Sequence, residues 1–104
     1  MSTKKITESP TTGIVISFIV PAYNEEAELP GTLRAIRSAA AGYEHEIVLV
    51  NDGSTDATGA IGEKFGARVI SIERRQIAAA RNAGAAAARG NVFIFVDADT
   101  RIGP

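Results

Sequence analysis

Residues 90–100 have the sequence Gly-Asn-Val-Phe-Ile-Phe-Val-Asp-Ala-Asp-Thr, in which an apolar run leads directly into two aspartates. An uninterrupted apolar run is typical of a strand that is covered on both faces, as in a parallel sheet flanked by helices. In such sheets ligands bind beyond the carboxyl ends of the strands. Asp97 and Asp99 would lie there, where carboxylates can bind a divalent cation or a polar ligand. The alternative is a solvated turn that only ends the strand, because aspartate is a favoured turn residue.

Composition narrows the class of protein. The chain has 104 residues, of which 45% are hydrophobic, so it has room for one domain with a modest core. Its net charge of −1 gives no basic surface for nucleic acid or an anionic membrane. The absence of cysteine excludes disulfides, thiolate chemistry and cysteine-based zinc sites. The single histidine, His45, lies in a polar connection and is expected to be structural.

The sequence also predicts whether the chain crosses a membrane and where its folded domain begins. No apolar run approaches the ~20 residues of a membrane span, and no signal-type segment follows Met1, so we expect no transmembrane segment and a cytoplasmic location. Residues 1–12 are polar and lack periodicity, which predicts a flexible tail. The domain is expected to span residues 13–104.

Strands and helices are predicted to alternate along the chain. Strands are expected at residues 14–20, 46–51, 68–72 and 92–96, and helices at about 30–42, 56–65 and 76–89. Pro30 suits the first turn of the first helix, and Ser54 or Thr55 the N-cap of the second. The third helix carries mostly alanine and glycine, so we expect it to lie close against the sheet. This order predicts an α/β fold with a Rossmann-like parallel sheet, right-handed crossovers and helices on both faces.

Acidic or polar loops follow three of the four predicted strands. They contain Tyr23 to Glu25 after the first strand, Asp52 after the second, and Asp97 and Asp99 after the fourth. Since the carboxyl ends of parallel strands share one edge, the loops are expected to form a single ligand crevice.

The glycine motifs that bind phosphate are missing from this crevice. Neither Gly-x-Gly-x-x-Gly after the first strand nor Gly-x-x-x-x-Gly-Lys-Ser/Thr occurs. A diphosphate would therefore need a cation, Mg²⁺ or Mn²⁺, on Asp97 and Asp99, assisted by an arginine such as Arg81. Asp52 is suited to accept an N–H of a base or a ribose hydroxyl. Together these residues predict a nucleotide diphosphate along the strand ends.

Four motifs, at residues 17–26, 50–56, 80–84 and 96–99, carry a family resemblance. Their sequences are Ser-Phe-Ile-Val-Pro-Ala-Tyr-Asn-Glu-Glu, Val-Asn-Asp-Gly-Ser-Thr-Asp, Ala-Arg-Asn-Ala-Gly and Val-Asp-Ala-Asp. In order and spacing, the region from Ile14 to Thr100 resembles the amino-terminal, donor-binding half of the family 2 nucleotide-sugar glycosyltransferases, which have the GT-A fold. The resemblance implies transfer of a sugar from a nucleotide donor to a glycan or lipid carrier, with inversion at the anomeric carbon.

The resemblance also implies roles for individual residues. The residues that it places at the donor are Pro21, Ala22, Tyr23 and Glu25 at the nucleoside, Asp52 at the base, usually uracil, Arg81 near the base or diphosphate, and Asp97, Ala98 and Asp99 in the metal and ribose-diphosphate motif. Asp97 and Asp99 are the implied metal ligands.

Two departures from the family pattern bear on these roles. Residues 74–76 are Arg-Arg-Gln where the family often has Asn-x-Gly, so the loop facing the donor is expected to differ in shape and charge. Family members also continue past the metal motif with acceptor-binding strands and a general base. We therefore expect an incomplete domain with no identifiable catalytic base. The fourth strand would then form an exposed edge through which the chain self-associates as a homo-oligomer, unless Ile102 and the tail fold back over it.

Other interpretations remain open at this point. The chain could bind nucleotide sugars without turnover, or it could be a phosphatase with Asp97 as nucleophile. The second is disfavoured, because that motif usually lies on a first strand and continues with Thr or Val where Arg101 stands. Individual residues also have structural alternatives: Arg81 as a bridge between helix and loop, Glu25 as a cap of the first helix, and Asp56 as an acid at a helix N-terminus.

Overall fold

A computed structural model of the chain describes residues 13–99. Four strands alternate with three helices in this region, in the predicted order. The elements are β1 (Val15–Ala22), α1 (Leu29–Ala39), β2 (Glu44–Asp52), α2 (Thr58–Lys64), β3 (Arg68–Ile72), α3 (Ile77–Ala87) and β4 (Val92–Phe95). The predicted tail, residues 1–12, and Ile102 lie outside the described residues.

All four strands form one parallel sheet in the order β3-β2-β1-β4. In the register of the sheet, Ile19 of β1 is opposite Val48 of β2 on one side and Phe95 of β4 on the other. The carboxyl ends of the strands therefore share one edge, which confirms the predicted α/β fold and brings the three polar loops to the same side.

The sheet has a hydrophobic core on each face. On one face, α1 and α2 pack over a cluster that includes Phe18, Val20 and Leu49. On the other face, α3 packs over Ile19, Val48 and Val50. A Cβ at Gly84 of α3 would come within 2.3 Å of the side chain of Ile19, so the small residues allow the close approach that the sequence predicts.

The edge position of β4 corrects one prediction and confirms another. Val92–Phe95 are 39 to 44% exposed, so the expectation that this strand is covered on both faces is wrong. Among residues 13–99, β4 pairs only with β1, and no described helix covers it. The expectation of an exposed apolar edge is confirmed.

Several element boundaries differ from the predicted ones. Strand β2 begins at Glu44, earlier than predicted, because its parallel pairing with Val15 extends the ladder. Helix α1 ends at Ala39, and Gly42 lies in the following turn at a φ of 91°. Helix α2 begins at Thr58 with Ala57 in the N-cap position, so neither Ser54 nor Thr55 caps it. Their polar atoms bind the loop after β1 instead.

Helix α3 ends at Ala87 because the residues after it are hydrogen-bonded to side chains of β1 and β2. The Glu46 carboxylate accepts the N–H of Arg89 at 2.6 Å and the Ser17 hydroxyl at 2.6 Å. The Ser17 hydroxyl in turn accepts the N–H of Gly90 at 2.8 Å. These bonds hold the connection between α3 and β4 in an extended form, since Ala88 has φ −67° and ψ 141°.

His45 has a structural role, as predicted. Its Nε2 accepts a hydrogen bond from Arg37 at 3.0 Å, and its Nδ1 donates to the Tyr43 carbonyl at 2.9 Å. It lies far from the loops at the carboxyl ends of the strands, because it is at the start of β2. Within the described part of the chain, no helix is long and apolar enough to cross a membrane.

Candidate functional site

A cavity of about 550 Å³ lies at the carboxyl ends of β1, β2 and β4. Its lining combines the three polar loops with the start of α3: Pro21, Ala22, Tyr23, Glu25, Asp52, Arg75, Gln76, Ile77, Ala80, Asp97, Ala98 and Asp99. Every site residue predicted from the sequence lines this cavity except Arg81. The three loops therefore do converge on a single crevice.

Asp52, at the end of β2, is 4% exposed and organises the loop before α3. Its Oδ1 accepts the N–H groups of Arg74 at 2.7 Å and Arg75 at 2.9 Å, and its Oδ2 accepts that of Gln76 at 3.1 Å. Burial alone would raise the pKa of the Asp52 carboxyl, but these N–H groups and the charge of Arg75 outweigh it and hold that pKa below its usual range. Oδ2 keeps one acceptor position, because each carboxylate oxygen can accept about two hydrogen bonds.

Arg75 and Tyr23 form one wall of the cavity. The guanidinium carbon of Arg75 lies 3.9 Å from the centroid of the Tyr23 ring. Arg75 adopts a φ of 51°, in the left-handed region that disfavours a side chain. Residues Arg75, Gln76 and Ile77 were not predicted as site residues. The signal for them in the sequence is the Arg-Arg-Gln departure from the Asn-x-Gly pattern.

The loops after β1 and β2 are hydrogen-bonded to each other. The Ser54 hydroxyl accepts the N–H of Asn24 at 2.9 Å, and the Asn24 side-chain oxygen accepts the N–H of Thr55 at 2.8 Å. Similarly, the Thr58 hydroxyl accepts the N–H of Glu25 at 2.9 Å. These reciprocal bonds fix the backbone that carries the cavity residues of the first loop.

Asp56 has a structural role at the start of α2, as in the alternative weighed above. Its carboxylate accepts the N–H of Thr58 at 2.9 Å and that of Glu26 at 3.2 Å. Burial would raise the pKa of this carboxyl, but the hydrogen bonds from Thr58 and Glu26 lower it below its usual range. The side chain does not line the cavity.

Glu25 directs its side chain into the cavity, while its backbone serves α1. Its carbonyl accepts the N–H groups of Glu28 at 3.1 Å and Leu29 at 2.9 Å, and α1 has no side-chain cap. Burial first, and then the negative charges of Asp99, Glu28 and Asp56, raise the pKa of the Glu25 carboxyl. This end of the cavity is therefore electronegative and favours a cation.

Asp97 and Asp99 lie on the turn after β4, on either side of the buried Ala98. Within residues 13–99, neither carboxylate has a hydrogen-bond or salt-bridge partner. No group of three or more potential metal-ligating side chains occurs in that region either. Mg²⁺ and Mn²⁺ prefer oxygen ligands, and Mg²⁺ is commonly held by one or two carboxylates together with phosphate oxygens. The chemistry of this pair therefore fits a cation that is completed by a bound diphosphate.

Arg81 lies on the β4 side of α3 and not in the main cavity. Its guanidinium carbon is 5.7 Å from the centroid of the Phe95 ring. It lines a neighbouring cavity of about 340 Å³ together with Asp97 and Phe95. Asp97 thus borders both cavities, and Arg81 bridges α3 and β4.

A comparison with known protein families shows which family this chain belongs to. Residues 17–104 match the family model of glycosyl transferase family 2. The chain belongs to glycosyl transferase family 2. This membership confirms the resemblance carried by the four motifs.

Two relatives illustrate the extent of the match. Glycosyltransferase GlyA of Streptococcus pneumoniae is 43% identical over 90 residues, which are 81% of this chain and 13% of that protein. Dodecaprenyl-phosphate galacturonate synthase of Rhizobium johnstonii is 32% identical over 107 residues, which are 94% of this chain and 32% of that protein. The chain thus spans a third or less of the length of these relatives.

The fold of the chain also matches that of a solved glycosyltransferase structure. Glucosyl-3-phosphoglycerate synthase of Mycobacterium tuberculosis, in complex with Mn²⁺, UDP and glucosyl-3-phosphoglycerate, superposes with a TM-score of 0.75 at 28% identity. The match covers 88% of this chain and 37% of that one. The parallel sheet with its helices therefore corresponds to the fold of GT-A glycosyltransferases.

Proposed function

We propose that this chain is the donor-binding part of an inverting, metal-dependent glycosyltransferase whose donor is a UDP-sugar. The observation that carries the proposal is the convergence of Tyr23, Asp52, Asp97 and Asp99, from three loops, on one cavity of a family 2 chain. The mycobacterial synthase, which contains UDP and Mn²⁺, supports this choice of ligand and cofactor.

The base is assigned to the end of the cavity that contains Tyr23 and Asp52. A planar base can stack on an aromatic ring or on a guanidinium. The remaining acceptor position on Asp52 can receive the N–H of a uracil. Because its pKa is lowered, Asp52 is an anion at neutral pH and accepts without competition from its own proton.

The diphosphate is assigned to the end that contains Asp97 and Asp99. A divalent cation bound there would supply positive charge to the diphosphate as it becomes the leaving group. The chain's own contribution is to present two carboxylates beside Glu25, in an electronegative setting that retains the cation. Neither carboxylate has a hydrogen-bond or salt-bridge partner among residues 13–99.

For the acceptor we propose a glycan or a lipid carrier. The Rhizobium relative, named for dodecaprenyl phosphate, is an example of the second class. We assign no general base, since every carboxylate of the cavity already has a proposed donor or metal role: Glu25 and Asp52 at the nucleoside, and Asp97 and Asp99 at the cation.

Calorimetry with UDP, uridine and MnCl₂ tests the proposal. We expect UDP to bind in the presence of Mn²⁺, and a chain that binds no UDP under these conditions would overturn it. Incubation with UDP-sugars and with aryl phosphates then separates the reaction classes. Release of phosphate from aryl phosphates would favour a phosphatase, and UDP binding without sugar transfer would favour a binding module.

We also propose that the 104-residue chain self-associates through β4. The support is the continuous apolar exposure of Val92–Phe95, at 39 to 44%, on a strand whose outer edge has no partner among residues 13–99. Such edges are usually paired or covered in proteins.

A further inference from the structure

We propose that Thr32 of α1 is a positioning residue for the cation-binding turn, which it holds through the backbone carbonyl of Ala98. The proposal rests on the function proposed above, because it assumes that Asp97 and Asp99 bind the cation. It concerns a residue outside the four sequence motifs and outside the cavity lining.

The turn leaves the sheet directly before the two aspartates. The last hydrogen bond to β1 is donated by the N–H of Val96 to the carbonyl of Ile19, at 2.9 Å. Beyond it, the Thr32 hydroxyl donates to the carbonyl of Ala98 at 2.7 Å. This bond joins residues 66 positions apart in the chain. It connects the turn to α1, which is itself packed against the sheet.

Both partners of this bond are buried. Thr32 is 2% exposed and Ala98 is 3% exposed, and Ala98 belongs to the core cluster that contains Leu29 and Leu33. The flanking Asp97 and Asp99 are exposed. The turn is therefore fixed at its middle residue, so the backbone positions from which the two carboxylates extend are fixed as well.

A hydrogen bond within α1 is the structural alternative for the Thr32 hydroxyl. Threonine in a helix often donates to the carbonyl four residues earlier, here Glu28. That distance is 3.3 Å, against 2.7 Å to Ala98, and a hydroxyl has a single proton to donate. The shorter contact is the better hydrogen bond, and it is the one that orients the turn.

Loss of the hydroxyl would leave the buried carbonyl of Ala98 without its donor from α1. A buried carbonyl that loses its partner regains one by moving towards water. The turn would shift, and the two carboxylates would no longer share the geometry that a cation demands. Residues that orient metal ligands from behind typically change metal affinity by about 10- to 100-fold when they are replaced.

Two variants test this role, one without the hydroxyl donor and one that keeps it. Thr32→Val keeps the shape of the side chain but removes the donor, and Thr32→Ser keeps the donor but removes a methyl group. The affinities of the parent and both variants for UDP with MnCl₂, and for uridine, are measured by calorimetry. We expect Thr32→Val to weaken the Mn²⁺-dependent binding of UDP by about 10-fold, with uridine affinity unchanged and Thr32→Ser close to the parent.

The outcomes separate this inference from the function on which it rests. If UDP binding by the parent does not depend on Mn²⁺, the proposed cation site is overturned. If it does depend on Mn²⁺ and Thr32→Val equals the parent, or loses uridine and UDP alike, the role of Thr32 is overturned.

A measurement on the parent covers the case in which Thr32→Val does not fold. In the parent, the Thr32 hydroxyl proton should be protected from solvent exchange and show a scalar coupling across the hydrogen bond to the carbonyl carbon of Ala98. A rapidly exchanging hydroxyl would overturn the inference.

Discussion

The guanidinium of Arg75 lies over the ring of Tyr23, with 3.9 Å between the guanidinium carbon and the ring centroid. This contact joins the loop before α3 to the loop after β1 across the mouth of the cavity. Asp52 supports it from below by accepting the N–H of Arg75 at 2.9 Å. A buried anion and an exposed aromatic ring thus hold one arginine from two sides, although its backbone is in an unfavourable conformation.

Two substitutions at Arg75 separate the energy of the cation–π contact from the energy of the strained backbone. Arg75→Ala removes the cation–π contact, worth about 0.5–1 kcal/mol at an exposed site, and retains a side chain at a φ of 51°. Arg75→Gly removes the same contact but relieves the backbone. We expect the glycine variant to have a free energy of unfolding about 1 kcal/mol higher than the alanine variant. Urea denaturation of the two proteins measures this difference, and an alanine variant of equal or greater stability would contradict it.

Asp52→Ala should weaken UDP binding by about 1.5–3 kcal/mol, the scale of a hydrogen bond to a charged group. The structure adds a second effect, because three backbone N–H groups lose their acceptor and the loop at 73–76 loosens. Calorimetry on the folded variant gives the affinity.

Asp56→Ala is the matched control for this variant. It also removes a partly buried acceptor of backbone N–H groups, but from a side chain that does not line the cavity. We expect it to lower stability and to leave the UDP affinity unchanged. Parent-like binding by Asp52→Ala would show that Asp52 does not bind the base.

Removal of the cation should weaken UDP far more than uridine. Without the cation, the diphosphate would face Asp97, Asp99 and Glu25, and like charges repel one another. EDTA in the calorimetric titration, and Asp97→Asn and Asp99→Asn variants, test this expectation. Equal losses for the two ligands, or none for either, would argue against a cation on this turn.

The limits of prediction from sequence are visible in Asp52 and Thr32. Asp52, Asp97 and Asp99 could be predicted as cavity residues because each follows a strand, and parallel strands end at one edge. The hydrogen bonds from residues 74–76 to Asp52 could not, since they depend on how the loop folds after β3. Thr32 lies within an ordinary amphipathic helix, and its partner is 66 residues away, so no local pattern connects the two. Arg81 lines the neighbouring cavity with Asp97 instead of the main one, and the sequence could not show this because a helical position does not reveal which side of the sheet edge a long side chain takes.

Glu46 should make the free energy of unfolding depend on pH in the acidic range. Partial burial raises the pKa of its carboxyl, but the N–H of Arg89, the Ser17 hydroxyl and the Arg68 guanidinium outweigh it and lower the pKa to about 2. A carboxyl whose pKa is lowered in the folded state contributes stability above its unfolded value of 4.5, and this contribution is lost as the pH falls from about 4.5 to about 2. The loss is at most about 3.5 kcal/mol, since one pKa unit corresponds to about 1.4 kcal/mol and screening by solvent reduces the contribution of a partly exposed carboxyl.

Glu46→Gln should therefore flatten the pH dependence of unfolding in urea between pH 5 and pH 3, and lower stability at pH 7. Glu44→Gln is the control, because Glu44 lies on the same strand, is exposed, and its side chain makes no hydrogen bond to the described residues. If the Glu46 and Glu44 variants follow the same pH profile, the network around Glu46 does not contribute to stability.

Self-association through β4 can be tested with one substitution on its exposed face. Phe93 is 44% exposed and Tyr43, in the connection between α1 and β2, is 45% exposed, so lysine at either position adds a charge to a similarly accessible site. We expect the parent to be larger than a monomer in light scattering at micromolar concentration, Phe93→Lys to dissociate it, and Tyr43→Lys to leave it associated. Because Phe93 is outside the cavity, UDP affinity per chain should be preserved in the monomer. A parent that is monodisperse and monomeric would show that the apolar edge of β4 remains solvated in the isolated chain.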